Sequence, residues 1–164
     1  MALPNKLLPG FAASMYAQPL ASPTPLTLAQ LSTLVNVAAI AVSGNLMNIE
    51  AIPAFGQDDA VASFSVAGSR QSDKIPAQSA PSSMTISAAW NPSDTVLLLL
   101  RADAYTGTVD RTFVVAATDG ANIIYYSFIG RVSQWQIDAQ PGAEAKATFT
   151  VHPRGNLYGW VNNA

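Results

Sequence analysis

Cysteine is absent from the 164 residues, histidine occurs once, and charged residues make up only 11%. The first absence excludes disulfides, thiolate metal sites and a cysteine nucleophile together. The shortage of charge is more informative, because soluble domains carry roughly 25% charged residues and monomers usually keep a mixed charged surface. Ala, Ser, Thr, Gln and Asn take those positions here, which suits a surface covered by identical neighbours. An alanine-rich composition accounts for part of the deficit, not all of it. Lys and Arg number 8 against 10 Asp and Glu, for a net charge of −2. The basic residues are scattered singly from Lys6 to Arg154, so no basic footprint for gripping nucleic acid exists. The apolar runs Val37–Val42 and Val96–Leu100 are too short to span a membrane. Lys6 followed by Leu7-Leu8 faintly resembles a signal peptide, but Pro9 and Gly10 interrupt any hydrophobic helix.

Catalytic signatures are equally scarce. His152 stands just before Pro153, and no Gly-x-Ser-x-Gly elbow accompanies it. Asp58-Asp59 has no third ligand at metal-binding spacing, so it reads as a solvated turn. Ala67-Gly68-Ser69-Arg70 lacks the lysine of a phosphate loop. Trp90, Trp135 and Trp160 could stack a sugar or base, yet two lie in patterned strands where core packing is the better reading. No catalytic residue, cofactor or metal site is assigned.

What the chain does have is alternation. Hydrophobic residues form 49% of it, enough for the core of one domain over 1–164. Residues 1–10 place Leu3, Leu7 and Leu8 among Pro4, Pro9 and Gly10, an extended arm whose leucines want burial. Phe11–Gln18 reads as a first strand. Thr27 and Gln30 form a capping box before a short helix over 28–34. Val35–Val42 and Leu46–Phe55 read as strands separated by Ser43-Gly44-Asn45. Gly56–Ser83 reads as a long polar loop with a strand-like piece at Val61–Ala67 and the charges Asp58, Asp59, Arg70, Asp73 and Lys74. Met84–Trp90 alternates cleanly.

Asn91 as N-cap, Pro92 and Asp94 then open a helix to about Ala104. Its block Val96-Leu97-Leu98-Leu99-Leu100 is apolar around much of the circumference, so more than one face needs cover. On that reading a charge at Leu98 or Leu99 would be buried at a cost of several kcal/mol. Val109–Thr118 and Asn122–Asp138 pair about Asp119-Gly120. Ile123–Ile129 is apolar on both faces, and Gly130 marks a bulge or bend. Glu144–Val151 is the last strand, ended by Pro153–Gly155. Residues 155–164 then form a C-terminal arm carrying Leu157, Tyr158 and Trp160. The sum is a mostly β chain: an antiparallel β-sandwich or partly closed barrel with one α-helix packed on it, a long inter-strand loop and extended N- and C-terminal arms.

Read in order, several segments resemble the tail-tube proteins of long-tailed, non-contractile bacteriophages, the group that includes the phage lambda tube subunit. The resemblance covers roughly residues 5–155. It rests most on the passage Ser83–Trp90-Asn91-Pro92 into a single helix, the hairpin about Thr118-Asp119-Gly120, and Phe128-Ile129-Gly130-Arg131-Val132. No second, immunoglobulin-like domain follows residue 155, where a lambda-like subunit carries one. The resemblance implies a non-enzymatic virion protein. Its hexameric rings stack into a β-lined tube that conducts DNA without sequence-specific binding. Its partners would be further copies, a tape-measure protein, and baseplate and tail-terminator proteins. It would be built in the host bacterial cytoplasm and end in the virion tail.

Mapped residue by residue, the stacking elements would include Leu3, Leu7, Leu8, Phe11, Asp58, Asp59, Arg70, Asp73, Lys74, Tyr158 and Trp160. A tube of a contractile tail or type VI secretion machine is an alternative. A secreted pilin- or adhesin-like β-sandwich is another.

Overall fold

A computed structural model describes residues 12–19, 24–65, 72–118 and 122–163. Its centre is a five-stranded antiparallel sheet. The strands are β1 (Ala12–Ala17), β4 (Met84–Ala89), β5 (Asp110–Thr118), β6 (Ile123–Asp138) and β7 (Lys146–Asn163), in the order β1-β5-β6-β7-β4. Both edges of this sheet are met by one short segment. Met47 N donates to Met15 O on β1, and Tyr16 bridges Leu46. Glu50 N donates to Ser87 O and Ala89 N to Asn48 O, beside a bridge from Ile49 to Ala88 on β4. Leu46–Glu50 therefore curls the sheet toward closure, a partly closed barrel that leaves fewer unpaired edge groups. The expected strand Leu46–Phe55 is this latch and the loop after it.

The interior follows from alternation. Met84, Ile86 and Ala88 point inward with Ala147, Phe149 and Val151, to which they are paired across β4 and β7. Phe113 stacks on Phe128 with ring centroids 5.5 Å apart, and Trp135 stacks on Phe149 at 4.9 Å with the edge of Trp90 toward it. Gly130 is the close approach that lets this core shut. A Cβ there would lie 2.9 Å from Val151 Cγ1 and 3.2 Å from the Phe113 ring. It remains in register between Arg111 and Pro153. The irregularities expected at Gly130 lie to either side, between Ser127 and Ile129 and between Ser133 and Gln136. Gln134, inside the second, has φ 55.

The opposite sheet face carries a second cluster. Val37 and Ile40 pack on Val114 and Tyr125, flanked by Tyr16, Leu34, Ala116 and Ile123. Their elements are α1 (Leu28–Leu31) and α2 (Leu34–Ile40). The region 35–42 was expected as a strand for its β-branched content. It is helical because Leu34, Val37 and Ile40 fall on one helical face over the sheet while Val35 stays 77% exposed. Burial of one stripe outweighs weak β propensity. The second apolar face of β6 is thus covered at Ile123 and Tyr125 from within the chain.

Helix α3 (Thr95–Thr106) crosses from β4 to β5. Its cap is Asp94, not Asn91. Asp94 Oδ1 accepts from Val96 N at 2.9 Å and Leu97 N at 3.2 Å, while Asn91 Oδ1 holds only the preceding turn through Ser93 N. Asn48 Nδ2 fixes the same carboxylate at 2.7 Å. Replacing Asp94 with alanine should therefore cost about 1 kcal/mol, read as a lower denaturation midpoint.

Two expected irregular regions are regular. Gly56–Ser83 is a hairpin of β2 (Gln57–Ser65) and β3 (Ser72–Pro81), paired with each other as a separate two-stranded sheet. Residues 155–163 are not a free arm: β7 runs through them and pairs again with β6 from Ser127–Gly159 to Ile123–Asn163. Pro153 and Gly155 punctuate a strand here instead of ending it. The register shifts between the two stretches: β7 advances from Arg154 to Gly159 while β6 goes only from Ile129 to Ser127.

Candidate assembly surfaces

Helix α3 has more apolar residues than the described residues cover. Val96, Leu97 and Leu100 face the core. Leu98 is 39% exposed, Ala102 and Tyr105 are exposed, and Leu99 is half-buried. At i, i+4 and i+7, Leu98, Ala102 and Tyr105 share the outward face. Beside them lies a groove of about 610 Å³ whose walls include Leu98, Leu99, Ala102, Ala17, Pro19 and Gly44. Arg101 lies over the rings of Trp90 at 5.9 Å and Tyr105 at 5.6 Å, a cation–π pair of contacts at the rim. Arg, Trp and Tyr are the types that dominate binding energy at protein interfaces.

The surplus at Leu98 and Leu99 was legible from sequence. The contribution of Tyr105, Arg101, Pro19 and Gly44 was not, because three separate elements meet there. The exposure also changes the expected effect of a charge. Leu98→Glu should leave the melting temperature of the isolated chain nearly unchanged, since exposed sites shift stability by only about 0.5 kcal/mol. Any loss should appear in association, measured by sedimentation of the two proteins at matched concentration.

A second surface is the part of the sheet away from α1 and α2, on the face that carries them, where Thr85 is exposed, Ser87, Ser133, Thr148 and His152 are half-buried and Thr150 is buried. Thr85, Ser87, Thr148, Thr150, His152 and Ser133 alternate with the inward residues of β4, β7 and β6. Its charges are paired locally. Asp110 takes Arg131 Nε at 2.8 Å and Arg154 Nη1 at 2.6 Å on its two oxygens. Lys146 pairs with Glu50, whose hydrogen bond and then charge raise the Lys146 pKa above its ordinary value.

His152 is held on both sides by hydroxyls, Nδ1 by Ser83 at 2.8 Å and Nε2 by Ser133 at 2.7 Å. Neither nitrogen faces a carboxylate, so the pairings join three strand regions without the acid that orients a catalytic dyad. Among the described residues no group of three His, Asp or Glu is placed to hold a metal ion.

Of the residues expected to stack rings, Leu3, Leu7, Leu8, Phe11 and Arg70 lie outside the described residues. Asp58 and Asp59 sit on β2 opposite Ala80 and Ser79, and Asp73 and Lys74 on β3 opposite Phe64 and Ser63. The hairpin brings these four onto one ribbon. Tyr158 and Trp160 belong to β7 of the five-stranded sheet, Trp160 opposite Tyr126, whereas the ribbon is a separate sheet whose β3 packs against β7.

This architecture occurs in solved structures. A chain from the PVC extracellular contractile injection system, sheath/tube terminator in the extended state, superposes with a TM-score of 0.65 over 99% of this chain and 100% of that one, at 9% identity. A chain from the 6-fold symmetrised anti-feeding prophage baseplate gives 0.61 at 12% identity, covering 98% and 97%. No family model matches the sequence, and no curated protein matches it. The fold is one shared with the tube-bearing assemblies of phage tails and contractile injection systems. More particularly, the tail tube of phage SPP1 shares it with a TM-score of 0.55 and 10% identity, over 90% of this chain and 76% of that one.

Proposed function

We propose that copies of this chain form rings that stack into the tube of a phage tail, through which DNA passes during infection. The observation that carries this is the near-full-length likeness to chains of tube-bearing assemblies, including the SPP1 tail tube. Six copies per ring follows the 6-fold symmetry of the anti-feeding prophage baseplate. The protein acts structurally, not as an enzyme. It works with a tape-measure protein, baseplate and tail terminator, is assembled in the bacterial cytoplasm and resides in the virion tail.

The chemistry of the second surface suits a channel lining. Hydroxyl side chains and internally paired charges offer phosphates no row of free cations, and such a row would bind DNA and slow its passage. The β2–β3 hairpin, with Asp58, Asp59, Asp73 and Lys74, is the element that reaches the next ring.

A second reading is favoured by the higher likeness to the contractile injection system chain: the tube or terminator of a contractile machine. Co-sedimentation with a sheath protein distinguishes the two. Electron microscopy of the concentrated protein tests both; rings or tubes are expected, and a chain that stays monomeric at every accessible concentration removes both. Deleting residues 1–10 should leave the melting temperature in place and stop tube growth. Normal-length tubes from the truncated chain would take the arm out of the stacking contact.

A further inference from the structure

The α3 groove is apolar on nearly every wall, and its one buried amide is already used: Asn45 Nδ2 donates to Ile40 O at 3.0 Å. A ligand with many unpaired polar groups would be penalised there. The segment that precedes β1 has the opposite character. Residues 1–11 carry Leu3, Leu7, Leu8 and Phe11 against a single charge, Lys6. Pro4 and Pro9 disfavour helix and lack two N–H groups that burial would otherwise strand.

The route of the chain bears on which copy the segment meets. It joins β1 at Ala12, whereas the groove adjoins Ala17 and Pro19 at the other end, roughly 17 Å along the strand at about 3.3 Å per residue. Continuing the strand direction leads away from the groove. Turning back along the free side of β1 meets the latch, where Met47 N already holds Met15 O at 2.9 Å and Leu46 bridges Tyr16. Eleven extended residues reach about 36–40 Å, enough to cross to another molecule; the occupied edge of β1, not length, is what argues against a return to the chain's own groove.

We propose that the α3 groove is the receptor for residues 3–11 of a second copy, with Leu7 and Leu8 seated against Leu98 and Leu99. Donor segment and receptor groove are different surfaces of one chain, so the contact is heterologous and propagates head to tail instead of closing a dimer. The placement of the donor in the adjacent ring rests on the tube reading; the match of segment to groove does not.

The absence of cysteine allows a clean test in the full chain. Leu7→Cys and Ala102→Cys proteins, made separately, are mixed at assembling concentration and treated with a short bis-maleimide. A linked pair joining residues 7 and 102 is expected by peptide mapping. A parallel mixture of Leu7→Cys with Ser87→Cys, on the second surface, should give at least tenfold less product. Adding Leu98→Glu to the Ala102→Cys chain should lower the yield at least tenfold while its melting temperature stays in place.

No 7–102 link, or a link unaffected by Leu98→Glu, overturns the proposal. So does a Leu7→Cys/Ala102→Cys double variant that links only within one chain at high concentration. Micrographs of the same samples separate the two ideas. Tubes without the link remove the receptor and keep the tube; the link without tubes or rings does the reverse.

Discussion

Asp103→Ala should destabilise the fold by about 3–5 kcal/mol, the cost of leaving a buried charge without its partner. Asp103 lies on the inner side of α3 and Arg111 near the start of β5, with side chains only 7% and 4% exposed. Arg111 grips the carboxylate with two nitrogens: Nε bonds Oδ2, and Nη2 reaches Oδ1 at 3.0 Å. Nη1 points to Pro19 O at 3.5 Å, too far to replace what the carboxylate supplies. Without Asp103 the guanidinium stays desolvated between helix and sheet. For a chain of this length the loss corresponds to a fall of roughly 6–20 °C in melting temperature.

The converse substitution makes this diagnostic. A double variant, Asp103→Leu with Arg111→Met, removes both charges and keeps the volume, and exchanges of that kind are often neutral or stabilising. Denaturation of the wild type, both single variants and the double variant gives the coupling directly. Near-normal stability of Asp103→Ala would show that the pair does not anchor α3. The result bears on assembly because the same pair ties α3, which walls the groove, to β5 and to the carbonyl of Pro19 beside it.

Much of the barrel was legible because its strands obey a period of two. Met84–Ala89, Asp110–Thr118 and Ile123–Asp138 fall within a residue or two of the expected spans, each with apolar side chains repeating toward one core. The failures share a cause: local chemistry was overruled by what the segment packs on. Val35 and Val37 look like strand residues, but only a helix lets Val37 and Ile40 cover Val114 and Tyr125. Gly56–Ser83 looks like a loop because Ser, Gln, Asp and Pro give no apolar alternation. Its two strands need none to pair, since their ladder is with each other. Pro153 and Gly155 look like a stop, yet the strand continues and pairs with β6 again from Gly159 after a shift of register.

The candidate surface was half readable for the same reason. A surplus of leucine on one helix is visible in one dimension, whereas the groove needs Pro19, Gly44 and Leu99 to converge in three.

Gly159→Val is the substitution that most directly tests whether residues after 155 belong to the sheet. Gly159 pairs with Ser127 while α1 sits directly on it. A Cβ there would lie 2.4 Å from Leu31 O, 2.6 Å from Leu31 C and 2.7 Å from Ser127 Oγ. Two of those atoms are backbone, so no rotamer change relieves the overlap. Either β7 leaves β6 or α1 lifts, taking with it buried Leu31 and the hydrogen bond from Ser127 Oγ to Leu31 O. Overpacking of about 1–3 kcal/mol and a lost hydrogen bond of about 1 kcal/mol predict a total near 3 kcal/mol. Gly44→Ala is the control: nothing lies within 4 Å of a Cβ at that position, and its melting temperature should not move. Hydrogen exchange should show the amides of 159–163 protected in the wild type and exchanging quickly in Gly159→Val. If the variant melts like the wild type, the last nine residues are not part of the folded sheet. Tyr158 and Trp160 would then return as candidates for an arm that docks on a neighbour, and α1 would need another floor.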